Sequence, residues 1–204
     1  MCTISIVWKP RNGLNVKRSL GFFSIQYLSY NCKKCTGAKR NGGDSVLCDF
    51  GVAYAKGVDY NKTIFINDAE AKEAYDRIVS ARENMSEKKH NTVLIALIEA
   101  LSKRYEAPRC PATDKDYLRL NREYANTMRN VYENHHTSSA DVCALYAESL
   151  MQIRPWKLWA THGKDCETLE IKSVLELALK SWPEHPGLCH LYVHLMEMSA
   201  EPEL

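Results

Sequence analysis

The chain has 204 residues, 45% of them hydrophobic and 25% charged, enough for one substantial core or a stack of small units. This balance excludes fibrous, collagen-like and wholly disordered classes, and no run reaches the roughly 18 apolar residues that a membrane-spanning helix needs. Net charge is +2 but unevenly spread: residues 1–45 hold eight Lys or Arg against Asp44 alone, a leader of +7 that leaves −5 on the remainder.

The leader, residues 1–45, is expected to be irregular. Met1 to Val7 alternates as a short strand would, with Ile4 and Ile6 on one side, and Pro10, Asn12 and Gly13 then make a turn. Lys17-Arg18 before an apolar stretch from Leu20 to Leu28 resembles a secretion signal, but it starts late, contains Ser24 and Gln26 and lacks a small-residue cleavage site. Cys32 and Cys35 form a CxxC with Cys48 beyond, yet a structural zinc site closes with four ligands and no fourth is near. The Lys-rich loop around it, with Lys33-Lys34 and Lys39-Arg40, reads as a solvated basic loop in preference to a nucleic-acid contact. Eight scattered cysteines read as reduced thiols, which points to a cytoplasmic protein.

From residue 46 onward the pattern is helical. The first helix spans about Val46 to Lys56 and ends at Gly57, where a positive φ would suit the cap. Asp68 is expected to cap the second, which carries Ala71, Ala74, Ile78 and Ala81 to Met85, and Ser86 to open the third, with Val93, Leu94, Leu97, Ile98 and Leu101. Pro108 and Pro111 follow that helix, and Asp114 starts the fourth, through Tyr124, Met128 and Val131 to about Asn134. Ser138 or Ser139 opens the fifth, which Arg154-Pro155 should end because the residue before proline avoids the helical region. A loop with Trp156, Trp159 and Gly163 leads to a sixth segment over Glu167 to Ser181 and a last one after Pro186-Gly187.

Part of this pattern is written more than once. Val142-Cys143-Ala-Leu145-Tyr146 matches Leu188-Cys189-His-Leu191-Tyr192 position for position at an offset of 46. The sets Ala74, Ile78, Ala81, Ser86; Tyr124, Met128, Val131, His136; and Ile171, Leu175, Ala178, Pro183 share steps of four, three and five. In each set the first three positions share a helix face and the fourth sits where that helix must stop, the signature of repeated helix pairs.

Ala178 and Pro183, with Leu175 and Ile171 before them, resemble the second helix of a tetratricopeptide repeat (TPR). Leu145-Tyr-Ala-Glu-Ser-Leu-Met151 running into Arg154-Pro-Trp-Lys-Leu-Trp159, then Trp182-Pro-Glu-His-Pro-Gly187 and His190-Leu-Tyr-Val-His194, is similar to a largely uncharacterised TPR protein family, as is Gly51-Val-Ala-Tyr-Ala-Lys-Gly-Val-Asp-Tyr-Asn61. The likeness covers about residues 48–198 and implies an all-α fold: an α-solenoid of stacked antiparallel helix pairs over residues 46–204. The offsets of 46 to 50 exceed the roughly 34 residues of the standard unit, so longer connections are expected. The family also implies a further helix pair before residue 48 and more repeats after 198, so the domain is expected to be truncated, leaving Leu191, Leu195 and Met198 short of cover.

His190, His194 and Glu197 fall at i, i+4 and i+7 on one helix face. The resemblance implies that this face lines a concave groove, with Glu148 at the equivalent place one repeat earlier. These four residues are the expected surface for another protein or peptide. The competing reading is a metal-binding or hydrolase-like site on His190, His194 and Glu197, although a metalloprotease helix needs Glu directly after its first histidine and Leu191 stands there. Trp156 and Trp159 could stack a ligand or fill the gap between units. Tyr54, Asp59, Tyr60 and Asn61 are read first as packing and turn residues, and His185 as structural. With no Gly-rich phosphate loop, nucleophile elbow or kinase-like set in the chain, no cofactor, catalytic residue, small-molecule substrate or membrane partner is expected.

Overall fold

The computed structural model describes residues 45–86, 90–160 and 166–200. The expectations for the leader, its CxxC and basic loop, and for Gly163, lie outside the described residues. Within them the chain is all-α. The helices are α1 (Ser45–Lys56), α2 (Asp68–Asn84), α3 (Thr92–Ser102), α4 (Asp114–His135), α5 (Ala140–Met151), α6 (Cys166–Ser181) and α7 (Pro186–Met196). No helix among the described residues is long and apolar enough to cross a membrane.

Polar side chains fix where these helices begin. Asn67 is extended at φ −164° and its side chain accepts the Glu70 N–H at 3.0 Å, so it caps α2 in place of Asp68. Asp68 lies one residue inside and instead accepts the Cys110 N–H at 2.8 Å. Ser86 does not open α3: its N–H is taken by His90 Nδ1, and Asn91 caps the helix by accepting from Leu94 N–H at 2.7 Å. Thr113 and Asp116 form a reciprocal capping box at the start of α4, and Ser139 caps α5. Each such cap stabilises its helix by about 1 kcal/mol. The fifth helix stops at Met151, before the proline that was expected to end it.

The repeated steps become core. Ala74, Ile78 and Ala81 on α2, Tyr124, Met128 and Val131 on α4, and Ile171, Leu175 and Ala178 on α6 are all buried, none more than 5% exposed. Each fourth position falls at or just past a helix end. There the two cysteines of the repeated phrase make the same bond, Cys143 Sγ donating to the His136 carbonyl at 3.4 Å and Cys189 Sγ to the Pro183 carbonyl at 3.3 Å. A small thiol thus satisfies a carbonyl that the helix end leaves open.

Each helix packs on the next, and α1 also meets α3 as α5 meets α7. At the start of the last pair His185 Nε2 lies 3.3 Å from Asp141 Oδ1, and past its end the Trp159 indole N–H donates to the Leu195 carbonyl. Beginning meets beginning and end meets end, so α5 and α7 run in the same direction. Leu191 and Leu195, expected to be short of cover, are buried: α5 and α6 both pack on α7, and Trp159 reaches the Leu195 carbonyl; Met198 and Val193 are exposed.

Arg104 is 4% exposed, with its guanidinium 4.7 Å from the Tyr124 ring centre and no nitrogen hydrogen-bonded among the described residues. Gly57 does not adopt the expected positive φ, and its reason for being glycine is contact. A Cβ there would stand 2.3 Å from the Tyr105 hydroxyl, which donates to the Ala53 carbonyl at 2.7 Å. Gly57→Ala should therefore destabilise the fold by about 1 to 3 kcal/mol. In urea denaturation the cost should shrink when Tyr105→Phe is added, and an equal cost in both backgrounds would rule out this contact as the cause.

Candidate functional site

The loop that follows α1 turns sharply because Asp59 Oδ1 accepts two backbone N–H groups, from Asn61 and Lys62, each at 2.7 Å. That turn drives Tyr60 inward. It is 3% exposed, with its ring centre 5.0 Å from that of Trp156 and 5.2 Å from that of His194. The loop therefore reaches across to α7, and between them opens a cleft of about 190 Å³. Its walls come from Tyr54 and the 59–61 loop, from Asp141, Leu145 and Glu148 on α5, and from His190, Leu191 and His194 on α7.

Three of the four expected groove residues, Glu148, His190 and His194, thus line one cleft. Glu197 does not line it. It caps the end of α7 and touches His194, whose Nδ1 lies 2.7 Å from its Oε1. The far side of the same ring faces Asn61, Nε2 to Nδ2 at 3.5 Å. This arrangement suits the tautomer that donates from Nδ1 to the carboxylate and accepts at Nε2 from the amide. His190 stands at the exposed rim with its ring centre 4.5 Å from that of His194, edge to face. Cover over its inner edge, and then the charge that His194 can carry, hold its pKa below 6.5.

Trp156 packs against two of the cleft's lining residues and Trp159 does not. The first has a left-handed backbone, φ 61°, which costs a bulky residue on the order of 1 to 2 kcal/mol, and presents its ring to Tyr60 and His194. The second spends its indole N–H on Leu195, so of the two expected stacking residues it is the structural one. His185 is the α7 N-cap, its Nδ1 accepting the Leu188 N–H at 3.2 Å.

Chemically the cleft is acidic and soft. Lys and Arg are absent from its lining, while Asp59, Asp141 and Glu148 are present. Burial pushes the Glu148 carboxyl up to about 7; the Gln152 amide one turn on tempers the rise without making a hydrogen bond of good geometry. Among the described residues no group of three His, Cys, Asp or Glu could hold a metal ion. His194 shows why for its own cluster, since one ring nitrogen is engaged by Glu197 and the other faces Asn61. Asp141 and Gln152 had escaped notice in the sequence, where nothing marks one acid or one amide among many. Comparison with protein-family models, with curated proteins and with solved structures gives no match for this chain.

A carboxyl whose pKa rises from 4.5 to about 7 on folding is harder to ionise in the fold than in the open chain. Its neutral form is favoured, so the Glu148 contribution to stability should be complete below pH 4.5 and be lost as pH climbs to about 7, by at most about 3 kcal/mol and less where the carboxyl faces water. Glu148→Gln should flatten that slope and gain most at pH 8, as read by urea denaturation at pH 5 and pH 8; parallel pH profiles for the two proteins would show that Glu148 titrates normally.

Proposed function

We propose that the chain is a non-catalytic binding scaffold of TPR-like helix pairs, on which a partner protein or peptide docks at the cleft between the 59–61 loop, α5 and α7. The buried triplets on α2, α4 and α6, the matched thiol bonds of Cys143 and Cys189, and the parallel course of α5 and α7 support a repeat of helix pairs. In that reading α1, α3, α5 and α7 are the inner helices, and each unit has its counterpart alongside.

One observation carries the binding reading. Residues that the sequence holds apart, Asp59 to Asn61, Glu148, and His190 with His194, come together around one cleft, and a strained tryptophan packs on two of its lining residues, Tyr60 and His194. Helices and a pinned turn hold these groups in place before any partner arrives, so little ordering cost falls on binding. A volume of about 190 Å³ admits one side chain of the partner, and the surrounding surface takes the remainder.

Selection of a displayed peptide library on the full chain tests this. The selected peptides should bind at least tenfold more weakly to His190→Ala or Asn61→Ala, and unchanged to Lys72→Ala or Glu133→Ala. Equal loss in all four variants, or zinc held stoichiometrically by the purified chain and lost when His190 and His194 become alanine, would defeat the scaffold reading. Trp156→Gly separates binding from stability: relief of the left-handed backbone offsets the lost ring contact, so the melting midpoint should stay within a few degrees while peptide affinity falls.

A further inference from the structure

We propose that the cleft takes a primary ammonium, the end of a lysine side chain on the partner, against the Glu148 carboxyl. This rests on the reading of the cleft as a docking site and names the chemistry that fills it. The charges lining it are one-sided, with three carboxylates and no Lys or Arg. Two of those carboxylates are already occupied. Asp59 holds its own turn through Oδ1, and Asp141 faces His185 at the start of α7. Glu148 is engaged only by the poorly aligned Gln152 amide, and it lines the space that a ligand would enter.

Gln152, one helical turn on and outside the cleft's lining, is 3% exposed, and its amide makes no hydrogen bond of good geometry among the described residues, so it leaves the Glu148 carboxyl open. A buried polar group left without a full partner is costly, and an ammonium brings three donors to a carboxyl whose acceptors are largely open. Tyr54, Leu145 and Leu191 supply apolar wall for the four methylenes of lysine. An anion finds no cation in the lining.

The other titratable groups facing Glu148 do not reverse this. From the loop come Asp59 and the Tyr60 hydroxyl, which burial keeps neutral; from α7 come His185, His190 and His194, the last held by Glu197 and Asn61. An ammonium selects the ionised carboxylate and drives its proton off. Binding should therefore strengthen with pH across the range in which Glu148 ionises.

The test titrates the full chain with n-butylammonium at pH 6 and pH 8, following the Glu148 carboxyl carbon and the ring protons of His190 and His194 by NMR. A carboxyl titrating at about 7 is about one-tenth ionised at pH 6 and about nine-tenths at pH 8, so the dissociation constant should fall about tenfold between them. Saturation should move the Glu148 midpoint down, n-butanol should leave all three signals in place, and Glu148→Gln, near-isosteric and uncharged, should lose binding while keeping its folded spectrum. An equal response to butanol, a dissociation constant that does not change with pH, or wild-type binding by Glu148→Gln would overturn the proposal. Glycinamide at pH 7 probes the other source of an ammonium: tighter binding than n-butylammonium would assign the site to an amino terminus and remove lysine. Selected peptides that need His190 but contain no lysine would leave the docking site standing and sink the ammonium, whereas butylammonium binding in a chain that selects no peptide would do the reverse.

Discussion

The arrangement hangs on a buried phenol. Tyr146, fully enclosed on α5, must find a partner for its hydroxyl, because a buried O–H without one costs more than the bond returns. It donates to Glu170 on α6, and the same carboxylate takes two nitrogens of Arg129 on α4, a charge-assisted fork that holds Glu170 below the usual carboxylate range against the effect of burial. The Tyr132 ring of α4 stacks on Tyr146 with centres 4.8 Å apart. Three helices are thereby locked to one another through one side chain.

What that lock does to the other face of α5 matters for the site. A residue two positions further along a helix points to nearly the opposite side, so with Tyr146 turned toward α4 and α6, Glu148 has to face α7 and the 59–61 loop. Its partial burial and displaced ionisation follow from packing on the far side of the helix. The same geometry sets Gln152 one turn below it, where the amide is covered and its backbone carbonyl is taken by Asn121 Nδ2 at 3.2 Å. The cleft is the reverse side of a core contact.

The 59–61 loop completes the cleft by a separate device. Asp59 pins the turn, Tyr60 is driven under Trp156 and against His194, and Asn61 faces the ring of that histidine. A histidine held between an amide and a carboxylate is a positioning element, with its tautomer fixed and its ring aligned. The strained backbone at Trp156 fits the same pattern, since residues in costly conformations persist where surrounding contacts over-determine them.

Helix existence, the buried triplets on α2, α4 and α6, and the shared face of His190 and His194 were legible in the sequence, because helical period and proline placement are local properties; Glu148 was set beside them by the resemblance and not by period. The caps at Asn67 and Asn91 were missed, since several polar residues stand before each helix and only the backbone angle decides which of them caps it. Gly57 was assigned a conformational role that it does not have; its contact is with Tyr105, which lies 48 residues away in the chain and next to it in space. Tertiary structure alone decided that the 59–61 loop crosses to α7, that Glu197 serves His194 and not the cleft, that Trp156 and Trp159 take different tasks, and that Glu148 ionises late. Each of these depends on which distant surfaces exclude water together, and no local pattern of residues carries that information.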